Sequence, residues 1–61
     1  MIPNNATDYY TRPNGVVTYL LIKNTHPRYY EYIDGYGWMH IEDSFFKTIM
    51  RLYEIKHIKD I

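Results

Sequence analysis

The feature that most constrains this chain is the stretch RYYEYIDGYGWMHIEDS, residues 28–44, which places five aromatic rings around an Asp-Gly pair. An Asp-Gly pair favours the backbone conformation of a tight hairpin turn, and Gly37 permits a slightly longer loop. The flanking residues are rich in the aromatic side chains that strands prefer. We therefore predict a β-hairpin with strands at about residues 28–33 and 36–41.

The segment before this hairpin predicts a third strand. Residues 16–23, VVTYLLIK, are nearly continuous in apolar side chains, which is typical of a strand covered on both faces. A turn at residues 24–27 ends in proline and separates this strand from the hairpin. We expect the three strands to form an antiparallel meander.

The two ends of the chain have different characters. Residues 1–14 contain two prolines and little periodicity, which predicts an irregular N-terminal arm that crosses a sheet edge or stays mobile. A disordered tail over residues 1–7 is the alternative. Residues 15–61 are expected to form a single small domain, because a chain of this length makes one domain.

A C-terminal helix is predicted from about residue 44 to about residue 58. Asp43 or Ser44 can accept hydrogen bonds from the free N–H groups of the first turn. Apolar side chains then recur at helical spacing on one face: Phe45, Phe46, Ile49, Leu52 and Tyr53. The predicted fold is therefore α+β, with this helix packed on one face of the meander.

Beyond residue 54 the helical pattern drifts away from that face. Ile55 and Ile58 point elsewhere on the predicted helix. We interpret them as a contact with a second subunit or a target. A frayed helix end with scattered exposed isoleucines is the alternative.

The two faces of the hairpin follow from alternation along its strands. Loops of two and of four residues give the same assignment. The predicted core face holds Tyr30, Tyr32, Met39 and Ile41. The opposite face holds Tyr29, Glu31, Ile33, Trp38 and His40. Aromatic rings mixed with ionisable groups are typical of a partly solvated contact surface. The predicted partner-binding residues are Tyr29, Glu31, Tyr36, Trp38 and His40.

The chain has no covalent or metallic cross-link to stabilise so small a domain. Its 61 residues include no cysteine, and its three histidines show no metal-ligand spacing. We expect neither a metal site nor a cofactor. Domains this small usually need a disulfide, a bound metal or a partner chain for stability. Because the first two are not expected, we predict self-association as a homodimer.

The charge balance makes nucleic acid the second choice of partner. Seven basic and seven acidic side chains cancel, and nucleic-acid binders are usually basic. Glu31 also lies among the rings of the predicted contact face. The alternative function is nucleic-acid binding by the aromatic face, with these basic contacts: Arg12, Lys23, Arg28, Lys47 and Arg51.

The sequence predicts a non-enzymatic protein-interaction module that binds through the acidic, aromatic face of the hairpin. Residues 28–43 carry four carboxylates against one arginine, so we expect this face to contact a basic patch on the partner. Residues 44–47 match the S-x-x-K nucleophile motif, but the chain is far too short for that fold, and a helix start explains the serine. No membrane span or signal peptide is visible, so we expect a cytoplasmic protein. The composition, rich in Tyr, Ile, Asn and Lys, suits an AT-rich genome and indicates a viral modulator or inhibitor of a host protein.

Overall fold

A computed structural model describes residues 1–60 of the chain as one antiparallel sheet covered on one face by a helix. The last residue of the predicted domain, Ile61, lies outside the described residues. In chain order the elements are β1 (Asp8–Thr11), β2 (Val17–Ile22), β3 (Tyr29–Ile33), β4 (Gly37–His40), α1 (Asp43–Leu52), β5 (Lys56–His57) and a short 3-10 turn (Ile58–Asp60). The strand order across the sheet is β4-β3-β2-β1-β5. The predicted α+β class is confirmed, and the meander is formed by β2, β3 and β4.

Two strands lie outside the predicted meander. Residues 8–11, which we assigned to the irregular arm, form β1 and pair with β2 from Asp8 opposite Leu20 to Thr11 opposite Val17. The two residues of β5 then pair with the outer side of β1. β1 thus covers one edge of β2, and β5 covers part of the outer edge of β1.

The helix is shorter than predicted, and its N-terminus is capped differently. It ends at Leu52 rather than near residue 58, and Tyr53 has an extended backbone at φ −136° and ψ 151°. Glu42 occupies the N-cap position and makes no side-chain capping bond. In an extended chain, residues two apart point the same way, so Tyr53 and Ile55 both turn towards the core.

The loop between β3 and β4 contains three residues, and this reverses the predicted faces of the hairpin. Ile33 lies opposite Gly37, and Tyr32 lies opposite Trp38. Gly37 has φ +108°, a conformation that favours glycine and closes such a loop. Loops of two or four residues have the other parity, so the predicted assignment was wrong. Tyr30 and Tyr32 share a face with Trp38 and not with Met39.

Stacked rings join the helix to the sheet. Tyr29 of β3 stacks on Phe46 of α1 with ring centroids 4.0 Å apart and planes 7° from parallel. Tyr10 of β1 stacks on Tyr53, beyond the helix end, at 4.7 Å. The remaining buried apolar residues of the core are Leu20, Ile41 and Ile49. This small core lies entirely on one side of the sheet.

Two adjacent phenylalanines test this packing. Phe46 is 5% exposed and Phe45 is 50% exposed. Phe46→Ala should cost about 3–5 kcal/mol of unfolding free energy, a large share of the about 3–9 kcal/mol typical of this length. Phe45→Ala should cost less than about 1 kcal/mol. Urea unfolding followed by far-UV circular dichroism measures both. Equal losses would contradict the helix orientation.

Candidate functional site

The candidate site is the sheet face that points away from α1, here called the open face. Alternation along the paired strands places these side chains on it: Tyr9, Tyr19, Leu21, Tyr30, Tyr32, Trp38 and His40. They are part-exposed, and His40 is exposed. Within residues 1–60, no helix or second sheet lies over this face. The chain's own helix therefore covers one face of β2, and burial of the other face by a second copy stays a prediction.

Aromatic side chains form a row across four strands of the open face. Tyr9 lies opposite Tyr19 with ring centroids 6.4 Å apart. Tyr32 lies opposite Trp38 at 5.2 Å, edge to face. The register of β2 and β3 brings Tyr19 beside Tyr32. Cross-strand aromatic pairs stabilise a sheet, but their outer surfaces remain available for contact.

A shorter second row runs parallel to the first. Leu21 lies opposite Tyr30, and Tyr30 lies opposite His40 with ring centroids 5.7 Å apart. The Lys23 ammonium lies 5.0 Å from the centroid of the Tyr30 ring, a cation–π distance. Together the two rows give a ring-lined surface about four strands wide.

The charges on the open face are basic. Lys23 lies over Tyr30, and Lys56 lies opposite Tyr9 at the β5 end. The strand residues that point to this face include no carboxylate. Glu31 points to the helix side and is 8% exposed. The acidic character predicted for the contact face is therefore absent from it.

The N-terminal segment, residues 1–7, touches the open face. The indole Nε1–H of Trp38 donates to the carbonyl oxygen of Asn4 at 3.2 Å. Thr7 is bonded to β2, where its hydroxyl accepts from the Ile22 N–H at 2.9 Å. A cleft of about 490 Å3 borders the segment, with Tyr19 and Tyr32 in its lining. The segment thus lies against one part of the face and leaves the rest open.

The structure separates the predicted partner-binding residues. Trp38 and His40 lie on the open face, and Tyr36 lies in the β3–β4 loop, 72% exposed. Tyr29 is stacked on Phe46 on the helix side, and Glu31 is buried. The residues that sequence reasoning missed are Tyr9, Tyr19, Tyr30 and Tyr32. A three-residue hairpin loop would have identified Tyr30 and Tyr32, because it changes which residues of β3 share a face with Trp38 and His40.

On the helix side, Glu31 is the centre of a partly buried polar cluster. Its Oε2 accepts from the Tyr10 hydroxyl at 3.2 Å and from an Arg12 NH2 group at 3.4 Å. The Arg12 Nε–H donates to the Thr18 hydroxyl at 3.1 Å. Burial, and then the charge of Glu31, raise the pKa of Tyr10. Contact with Tyr10 raises the pKa of Arg12. These bonds satisfy a buried carboxylate, which is a structural role.

A second buried carboxylate joins the chain ends. Asp8 is 5% exposed, and its Oδ2 lies 2.9 Å from the Nδ1 of His57. This contact fastens β5 to β1.

Ile55 packs against the core and Ile58 is half-buried. The two isoleucines that we predicted as a dimer contact thus do not form an outward stripe of a long helix.

The basic residues of the alternative function do not form one surface. Arg12 is bonded to Glu31, and Arg28 lies over the Tyr29 ring at 5.5 Å. Lys47 and Arg51 border a shallow hollow on the outer side of α1. Of this predicted set, Lys23 is the member that lies over a ring of the open face.

Comparison with protein-family models, with curated proteins and with solved structures found no match to this chain. Within residues 1–59, no group of three or more histidine, aspartate or glutamate side chains is arranged to hold a metal ion. The same residues contain no helix long and apolar enough to cross a membrane. The open face is therefore the feature on which a functional argument rests.

The raised pKa of Tyr10 predicts a loss of stability at high pH. The folded state holds the phenol proton more tightly than the unfolded state, whose tyrosine pKa is about 10. The contribution is complete below that value and is lost as pH rises through the folded pKa. Tyr10→Phe should make the unfolding free energy less dependent on pH as the pH rises above about 10, the tyrosine pKa of the unfolded chain. Urea titrations at each pH measure this.

Tyr36→Phe is the matched control for that experiment, because Tyr36 is exposed. It should keep the alkaline loss of the native chain. Identical pH profiles for the native chain and Tyr10→Phe would contradict the buried position of the Tyr10 hydroxyl.

Proposed function

We propose that this chain is a non-enzymatic binding module that contacts a partner protein with its open face. The observation that carries the proposal is the row of Tyr9, Tyr19, Tyr32 and Trp38 on a sheet face that no second layer covers. Cross-strand pairing accounts for part of this arrangement, but a contiguous patch of part-exposed rings is typical of an interaction surface. We therefore attribute this row of rings to the binding of a partner.

Tyrosine and tryptophan side chains suit protein contact for physical reasons. Each buries a large apolar area while fixing few side-chain torsions, and each retains a polar group for orientation. Binding energy in interfaces concentrates in such residues. Trp38 is the expected anchor, since its indole bonds within the chain only to the Asn4 carbonyl among the described residues.

The charges of the face indicate the chemistry of the partner. Lys23, directly after β2, and Lys56 of β5 supply its charges, and the strand residues that point to this face include no carboxylate. A surface that combines apolar groups with carboxylates would complement it. This replaces the basic target patch expected from the sequence. A viral role as modulator or inhibitor of a host protein belongs to the same proposal and rests on composition, and the cytoplasmic location expected from the sequence stays a prediction.

Trp38→Ala tests the anchor. We expect a loss of at least about 2 kcal/mol, or about 30-fold, in affinity for the partner. Far-UV circular dichroism should remain native, because the ring lies outside the core. Quantitative capture from cell extract, followed by titration of the captured protein, gives the measurement.

Leu52→Ala is the control for that measurement, because Leu52 is 67% exposed on α1. It should leave capture unchanged. Two results contradict the proposal: equal capture by the native chain and Trp38→Ala, or unfolding of Trp38→Ala.

Single-stranded nucleic acid is the second candidate partner, and one observation favours it. Glu31, which argued against phosphate contact in the sequence, lies on the other side of the sheet. Aromatic sheet faces stack unpaired bases, and lysines at their margins contact phosphates. The overall neutrality of the chain still favours a protein partner.

Fluorescence of Trp38, the single tryptophan, distinguishes the two partners. If bases stack on the face, oligothymidine should quench this emission, and the affinity should fall with salt. Two lysine contacts give a slope of about −1.4 in log K against log salt concentration. Lys23→Ala should weaken this binding, and Lys47→Ala, on the helix side, should not. No quenching at low salt would exclude the nucleic-acid candidate.

A further inference from the structure

The free edge of β4 offers unpaired backbone groups in a regular pattern. The Ile41 N–H donates to the Tyr29 carbonyl at 3.0 Å, so this directly opposed pair is hydrogen-bonded. Such pairs alternate along an antiparallel ladder. Met39 therefore bonds inwards to β3, and Trp38 and His40 direct their N–H and C=O groups outwards. No backbone partner for these groups occurs within residues 1–60.

This edge carries neither the lysine nor the proline that commonly protects a sheet edge from pairing. Exposed edges are commonly guarded by lysine, proline, bulges or very short strands. The residues of β4 are Gly37, Trp38, Met39 and His40, without lysine or proline. The opposite edge is guarded, because β5 has two residues, one of them Lys56, and passes directly into a 3-10 turn.

We propose that β4 pairs antiparallel with β4 of a second copy, so that two sheets become one continuous sheet about a two-fold axis. The spacing of the outward groups fixes the register. Trp38 would exchange two backbone hydrogen bonds with the partner's His40, and His40 would do the same with the partner's Trp38. Met39 then lies on the axis, opposite the partner's Met39.

The register is self-complementary in hydrogen bonding and sets no like charges directly opposite each other. It places Glu42 opposite the partner's Tyr36, and no carboxylate directly opposite another. Met39 is 41% exposed, and two such side chains would meet at the axis. A two-fold interface repeats every contact, so four backbone hydrogen bonds and a methionine pair result. This favours a second copy over an unrelated strand.

The pairing has a consequence for the open face. Directly opposed residues of an antiparallel pair point to the same side of the sheet, so the two open faces would lie side by side. Trp38 would neighbour the partner's His40, and the aromatic row would continue across the axis. The edge contact is independent of what the open face binds, so each proposal can fail without the other.

Charge exchange at position 39 tests the register. Sedimentation velocity at tens of micromolar should show a dimer of the native chain. Met39→Lys and Met39→Glu should each be monomeric, because like charges would face each other across the axis. An equimolar mixture of the two variants should recover the dimer. Met50→Lys, at a 55% exposed helix position, should remain dimeric.

A second pair of variants tests the edge without charge and covers the case in which position 39 variants unfold. His40→Pro removes an outward N–H and leaves the ladder to β3 intact, so it should abolish the dimer. His40→Ala retains the N–H and should keep it. Three results would overturn the proposal: a monomeric native chain, a dimeric His40→Pro, or folded position 39 variants that fail to associate when mixed.

Discussion

The three-residue loop at Asp34–Tyr36 is the constraint on which the rest of the structure depends. It sets Ile33 opposite Gly37, and a shift of one residue in a strand moves every side chain to the other face. With this register, Tyr29 and Glu31 point to the helix, and Trp38 is left on the outside. The division between core and contact surface in the hairpin is thus a matter of loop length.

On the helix side, the sheet and α1 have few apolar residues to share, and rings supply most of the packing. The stack of Tyr29 on Phe46 fixes the start of the helix over β3, and the stack of Tyr10 on Tyr53 fixes its end over β1. Because the helix ends at Leu52, Tyr53 can reach β1 and Ile55 can follow it to the core. A helix continuing to residue 58 would have carried both residues past the sheet. Because the single helix α1 packs on one face of the sheet, the other face is left open, and that face carries the proposed function.

The sequence was sufficient for the three meander strands and the helix start, because alternation, an Asp-Gly turn and helical spacing are local signals. It was insufficient for β1 and β5. Their residues lie among prolines or lysines, and they become strands through pairing with β2 and with each other. The length of the β3–β4 loop did not follow from the sequence, because an Asp-Gly pair is compatible with several loop lengths. Gly37 was interpreted only as permitting a longer loop, so the two faces of the hairpin were assigned wrongly. Glu31 was taken as a surface group because its burial depends on Arg12 and Tyr10, which are distant in the chain. For the candidate site, Trp38 and His40 followed from the sequence, whereas the tyrosines around them required the register.

The arrangement of rings about the sheet is most directly tested by nuclear Overhauser contacts of the single indole. The account predicts cross-peaks from the Trp38 ring to Tyr32 and to the segment around Asn4, together with cross-peaks from Tyr29 to Phe46. Contacts from the Trp38 ring to Phe46 or Ile49 would contradict it. They would place the indole beneath the helix and leave the proposed contact surface without its anchor.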